Sequence, residues 1–185
     1  MSCILIITML LLTKSILNQP VMSLRTGGQV AQSEKAIINP NTLKIEGFYC
    51  ADSIEKKKRL ILVYRDIRDV LPAGLVIDDH SVLVEPGELI RMKDILQLDF
   101  ELVGKSVVTT NKKKIGKVND YAVEPKSMMI KKIYVGQSLM KNFTGGSLSV
   151  DRNQIVEINN RNVIIKEPLQ PIKSSQSGSP VFNTA

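Results

Sequence analysis

The phrase AIINPNTLKIEGFYC, Ala36 to Cys50, comes back eighty-five positions later as YAVEPKSMMIKKIYV, Tyr121 to Val135. Each copy sets two or three apolar residues before an x-Pro-polar-polar turn, then an apolar strand ending in an aromatic and an aliphatic residue. A chain that writes one unit twice is held to a fold that houses the unit twice, because both copies carry the same local preferences. A slide of 85 aligns Leu17–Cys50 with Leu102–Val135 without a gap, with identity only at Leu17, Pro40, Ile45 and Tyr49. The apolar pattern matches better: Met22 falls on Val107, Val30 on Ile115, Ala31 on Gly116, Ile38 on Val123, Leu43 on Met128 and Phe48 on Ile133. Farther on, DDHSVLVEP (Asp78 to Pro86) aligns with NRNVIIKEP (Asn160 to Pro168), so both units close on a short strand and Glu-Pro.

Within each unit, short apolar runs alternate with turn residues such as Gly27-Gly28, Asn39-Pro40-Asn41 and Pro72-Ala73-Gly74, the rhythm of small antiparallel β structure. Trp is absent and aromatics make up only 4% of the chain, so the core falls to Ile, Leu, Val and Met. Pro40 and Pro125 fit the second position of type I turns, where the ring pre-sets φ. Past each turn the apolar residues change face, from Leu43 and Ile45 to Phe48 and Cys50 and from Met128 and Ile130 to Ile133 and Val135, as in a strand that bends around a small barrel. Gly47 stands at the changeover in one copy and Lys132 in the other. Between the units, Leu89, Met92 and Leu96 in ELIRMKDIL predict a short amphipathic helix.

The domain plan is an N-terminal extension over 1–8, a β unit over 9–86, a helical linker over 87–97, a second β unit over 98–168 and a disordered tail over 169–185. Leu10 to Leu12 read as the first strand. The run Cys3–Leu12 is shorter than a membrane-spanning helix and lacks the marks of a signal peptide, and Met9 can serve as an alternative start. Cys3 and Cys50 form neither a disulfide framework nor a metal spacing, which places the chain in a reducing, cytoplasmic setting.

LVGKSVVTTNKKKIGKVNDYAVEPKSMMIKKIYV, Leu102 to Val135, resembles the opening of the PRC-barrel family, the small β-barrel of the photosynthetic reaction-centre H subunit and of ribosome maturation factors. The shared pattern is Gly-x-x-Val, a polar turn, Ile-Gly-x-Val-x-Asp, an acidic-Pro turn and an apolar strand. The first copy departs from it, with Gln19 for Gly104, Ala31 for Gly116 and Lys35 for Asp120. The resemblance implies two tandem PRC-like barrels joined by a short helical linker. It also implies a binding or adaptor module without catalytic residues, metal or cofactor, whose partner is a protein or a nucleoprotein. A ribosome- or RNA-associated assembly factor is the alternative.

The residues themselves point the same way. The formal charge of +7 is uneven: Ser15–Phe100 carries 11 Lys+Arg against 12 Asp+Glu, and Glu101–Pro168 carries 12 against 6. An anionic partner therefore meets the second half. Lys112, Lys113 and Lys114 fill a hairpin turn whose counterpart is neutral Gly27-Gly28-Gln29, and Lys117 follows. These four are the candidate partner-binding residues, as an electrostatic patch able to neutralise phosphates, although solvation and edge protection at a turn is the preferred reading of such lysines. Tyr121, Tyr134 and Phe143 are the few stacking groups nearby, which disfavours sequence-specific RNA reading. Peripheral membrane contact through the lysines is the less favoured partner class.

His80 in DDHS is the one histidine; its aligned turn, Asn160 to Asn162, discards every good ligand, so turn chemistry is preferred to a metal site. Cys50 aligns with Val135 and reads as a buried hydrophobe. The TGG stretches at Thr26–Gly28 and Thr144–Gly146 read as hairpin turns, not phosphate loops. YRDIRDV, Tyr64 to Val70, reads as local ion pairing with Ile67 and Val70 turned to the core, and Lys56–Arg59 as gatekeepers beside a strand.

Overall fold

A computed structural model of the protein describes residues 9–55, 58–137 and 148–167. The first half holds β1 (Leu11–Leu12), β2 (Pro20–Ser23), β3 (Gln29–Asn39), β4 (Lys44–Asp52), β5 (Arg59–Val63), β6 (Ile67–Leu71) and β7 (Gly74–Ile77). After α1 (Lys93–Leu98) come β8 (Ser106–Thr109), β9 (Lys114–Glu124), β10 (Met129–Gln137), β11 (Leu148–Asp151), β12 (Ile155–Ile158) and β13 (Asn162–Ile165). The protein is mainly β. Its strands make one open sheet in the order β12-β13-β8-β9-β10-β4-β3-β2-β7-β6, with β1 on β9, β5 on β4 and β11 on β10. Read outward from the centre, β4-β3-β2-β7-β6 and β10-β9-β8-β13-β12 are the same path, including one parallel pair each, β2 with β7 and β8 with β13. The extension over 1–8 and the tail over 169–185 lie outside the described residues.

The helix begins later than its periodicity predicts. Two 3-10 turns, Pro86–Glu88 and Ile90–Met92, precede it, because Leu89 between them has ψ 67 and breaks the helical path. Asp99, at φ 41, ends it.

Pairing also revises the internal alignment. Val21 opposes Ala31 as Val107 opposes Gly116, so Val21, not Met22, is the partner of Val107. The amide of Asn18 donates to Ser33 O and that of Gly104 to Val118 O, both at 2.7 Å, and Asn18 shares with Gly104 a positive φ (56° and 87°). Asn18, not Gln19, therefore stands for Gly104, and Ile16, not Leu17, for Leu102. A one-residue gap sits inside the first hairpin, where Ser23–Gly28 does the work of Thr109–Lys113. Apolar residues flank the gap on both sides, so an ungapped slide hides it. β7 matches β13 at a spacing of 88, since Val21 pairs with Leu75 as Val107 pairs with Val163. The turn Asn160–Arg161 thus answers Pro72–Ala73, and the alignment of Asp78–His80 with Asn160–Asn162 does not hold.

The change of face comes from a bulge one residue before the expected place. Ile37 and Ile38 oppose Gly47 and Ile45, leaving Glu46 extra; Ala122 and Val123 oppose Lys132 and Ile130, leaving Lys131 extra. An extra residue moves every later side chain to the other face. Ile45, Phe48 and Cys50 all become buried, as do Ile130, Ile133 and Val135. Gly47 has a separate duty: a Cβ there would lie 2.6 Å from the carbonyl oxygen of Leu62 on β5.

The two halves meet at the repeated phrase itself. The amide of Ile45 donates to Met128 O and the amide of Ile130 to Leu43 O, each at 2.9 Å, a pair that a two-fold exchange of the halves would interchange. Leu43 and Met128 both hold left-handed backbone (φ 52° and 55°), unfavourable for L residues by about 1–2 kcal/mol each. Burial of both side chains in one continuous apolar cluster, shared by the two halves, offsets that cost.

The segments leading into the halves are exchanged as well. β1 opens the first half yet pairs with β9 of the second, and Thr13 Oγ1 donates to Asp120 Oδ1 at 2.7 Å. The segment after α1 precedes the second half yet returns to β3, where Lys35 Nζ meets Asp99 and Glu101, each at 2.7 Å. This explains Lys35 at the position of Asp120: each anchors the other half's lead-in, with charge and partner swapped.

Candidate functional site: a cationic face on the second half

The β8–β9 hairpin closes through Thr109 N to Lys113 O and Lys112 N to Thr109 O, both 2.9 Å, with buried Thr109 Oγ1 accepting from Lys113 N at 3.3 Å. Lys112 takes φ 63° where the first hairpin has Gly27 at φ 68°. A lysine held in that region is strained by about 1 kcal/mol. Lys112→Gly is therefore expected to raise stability by about that amount while removing one charge, read as a higher denaturant midpoint with unchanged slope.

The four expected residues come together. Lys112, Lys113 and Lys114 are exposed at the hairpin, and exposed Lys117 lies along β9 opposite Ser106. Lys131 and Lys132, on β10, do not join them: they pair with Glu124 at the end of β9 at 3.3 Å and with Asp151 of β11 at 3.2 Å.

Three more cations lie at the ends of β8 and β13 and were missed from sequence. β13 runs parallel to β8, with Asn162 beside Ser106 and Ile165 beside Thr109. That register sets Lys166, just past β13, next to the lysine hairpin, and Arg161, just before β13, next to Lys105 at the other end. Lys105 Nζ donates to Asn160 O at 2.7 Å and sits 4.6 Å from the centre of the Phe100 ring. No local pattern marks these residues, because a parallel pairing across more than fifty residues assembles them. None of the seven forms an ion pair among the described residues. Glu157 lies at the margin beside Ile164, and Glu167 accepts from Asn111 Nδ2 at 3.1 Å.

The duplicate supplies a control. Positions of Lys105, Lys112, Lys113 and Lys114 are held in the first half by Gln19, Gly27, Gly28 and Gln29, and those of Lys117, Arg161 and Lys166 by Gln32, Ala73 and Asp78. Only Asp78 is charged, and it is tied to Arg68, whose Nε donates to Asp78 Oδ1 at 2.8 Å. The first half folds with no cation at any of these seven positions, so the fold does not require them. Unpaired charges of one sign on a sheet face attract anions over roughly 8–10 Å at physiological salt.

The other conspicuous groups are engaged in structure. Asp79 Oδ1 caps the 3-10 turn His80–Val82 through His80 N at 2.8 Å, and its Oδ2 meets Arg25 Nη1 at 2.8 Å. Histidine Nε2 of residue 80 lies 3.1 Å from Oδ1 of Asp52, whose side chain is 3% exposed. These contacts engage Asp79 and His80 in the turn and its ion pairs. Burial pushes the Cys50 thiol up to about 12. Ile67 and Val70 do pack against the core, but the segment's ion pair is not local, since Arg68 reaches Asp78; Arg65 instead donates to the neighbouring Tyr64 Oη at 3.2 Å. Thr26–Gly28 forms a hairpin turn, whereas Thr144–Gly146, Phe143, Lys56 and Lys57 lie outside the described residues. Lys58 pairs with Glu85 at 2.8 Å and Arg59 with Glu34 at 3.5 Å.

Compared with known proteins, the chain matches no family model and no curated relative.

Proposed function

We propose that this protein is a non-enzymatic, cytoplasmic adaptor of PRC-barrel type, each half an opened version of that barrel, which docks a protein or nucleoprotein partner on its cationic face. The carrying observation is the contrast between the halves. Seven cations without ion pairs among the described residues occupy positions that the first half fills with neutral residues and one paired aspartate. Supporting the adaptor reading, the polar side chains that could suggest catalysis are bound into caps and pairs. Among the described residues no helix is long and apolar enough to cross a membrane.

The test is an affinity measurement against salt. Binding of an anionic partner through this face should fall linearly on a log-log plot, with the slope reduced by about 3 when Lys112, Lys113 and Lys114 become Gln. An unchanged slope in that variant would remove the face from the binding reaction. The RNA-factor reading would require the same slope change with rRNA as the ligand.

A further inference from the structure

The face offers more than charge, and its layout distinguishes between anionic partners. Cations stand at the two ends of β8, with the lysine hairpin and Lys166 at one end and Lys105 and Arg161 at the other. Between them runs a strip of half-buried side chains: Ser106, Val108, Asn162 and Ile164. Val108 sits beside Lys114 and Ile164 beside Val108, so the aliphatic pair lies at the middle of the strip. The strip carries no aromatic ring, and Phe100, beneath Lys105 Nζ, is only 9% exposed.

From this we infer that the partner element is an acidic protein segment with aliphatic residues among its carboxylates, lying extended across β13, β8 and β9. The inference rests on the docking role of the face and names its partner class. An extended segment spans about 3.3 Å per residue, so four or five residues cover the length of β8. Carboxylates near the ends of such a segment meet the two cation groups, and an aliphatic side chain between them covers Val108 and Ile164. Charge complementarity sets the orientation, and the apolar contact adds what a bare polyanion cannot supply. A nucleic acid would gain only the phosphate contacts here, since bases need aromatic platforms for stacking.

The experiment uses the full chain and three fluorescent probes of equal net charge: a peptide of alternating Glu and Leu, an all-Glu peptide and an oligouridine. The Glu/Leu peptide should bind roughly tenfold more tightly than either other probe, the equivalent of about 1.4 kcal/mol. Changing Val108 and Ile164 together to Thr, which keeps the β-branched shape, should remove that advantage and leave oligouridine binding unaltered. Unaltered oligouridine affinity and an unchanged unfolding midpoint report that the variant is folded; if it is not, Ile164→Thr alone must still cut the advantage at least threefold. Oligouridine binding as tightly as the Glu/Leu peptide, or full retention of the advantage in the Thr variants, overturns the acidic-aliphatic assignment. Loss of no affinity for any probe on changing Lys112, Lys113 and Lys114 to Gln, or no binding of any probe to the unmodified chain, overturns the docking role itself.

Discussion

Neither half of the chain, cut at Pro86 or begun at Leu98, will show a cooperative denaturation transition alone, and mixing the two fragments in equal amounts will restore one. The first fragment loses Asp99, Phe100 and Leu102, which cover β3, and the second loses Leu11, Thr13 and Ile16, which cover β9 and join its core. Both lose the reciprocal bonds Ile45 N to Met128 O and Ile130 N to Leu43 O. Each large apolar side chain returned to water costs about 1.5–3 kcal/mol, and a domain has only about 5–15 kcal/mol in all. Exposing several at once leaves nothing to hold the half together. Circular dichroism of each fragment through a urea series decides the matter: one sharp transition in either fragment alone, near that of the full chain, would refute the exchange of lead-ins as a source of stability. Within the full chain, Met128→Ala should cost about 2–4 kcal/mol, because the site is 2% exposed and its neighbours come from both halves.

Asp52→Ala is expected to destabilise the protein by about 1–3 kcal/mol, the cost of losing a buried carboxylate that accepts from the exposed Ile54 amide and meets half-buried His80. Burial raises the Asp52 pKa, but the Ile54 amide at 2.9 Å, then His80 and then the Glu55 amide lower it, and together they prevail, so the folded value lies below the ordinary 3.8. The sign follows from linkage. A depressed folded pKa means stability that is present above the unfolded value and is lost as pH falls through the folded one. The gap between wild type and Asp52→Asn should therefore be full at neutral pH and close as pH drops below the ordinary aspartate range. Urea midpoints of both proteins across that range measure it. A gap that stays constant into acid would show that the carboxylate charge contributes nothing. Asn retains an acceptor for the Ile54 amide, so its loss at neutral pH should be smaller than that of Ala.

Much of the fold was legible because its signals are local. The turns at Pro40 and Pro125, the hairpin at Lys112 and the switch of apolar face after Ile45 and Ile130 all depend on residues within a few positions of each other. The bulge at Glu46 and Lys131 was legible in effect though misplaced by one residue, since Gly47 drew attention for a different reason, its contact with Leu62 O. The hidden gap in the first hairpin misdirected the partners of Gly104 and Val107, because shifting one apolar residue against another leaves an alternating pattern nearly intact. The match proposed for His80 failed likewise: Glu-Pro recurs in both copies, but strand pairing equates β7 with β13.

The candidate site divides along the same line. Lys112, Lys113, Lys114 and Lys117 are neighbours in sequence, and the neutral counterpart in the other copy exposed them as surplus to the fold. Lys105, Arg161 and Lys166 carry no such mark. By itself the sequence determined that one β unit occurs twice, where each unit turns and bends, and which copy carries excess positive charge. Only the tertiary structure decided that the halves share one open sheet, that each half's lead-in is held by the other, and that Lys105, Arg161 and Lys166 gather with the lysine hairpin at the ends of β8 and β13. The reason is physical: periodicity and turn chemistry report contacts between near neighbours, whereas the β8–β13 pairing and the swapped lead-ins are chosen by which distant surfaces bury the most apolar area together.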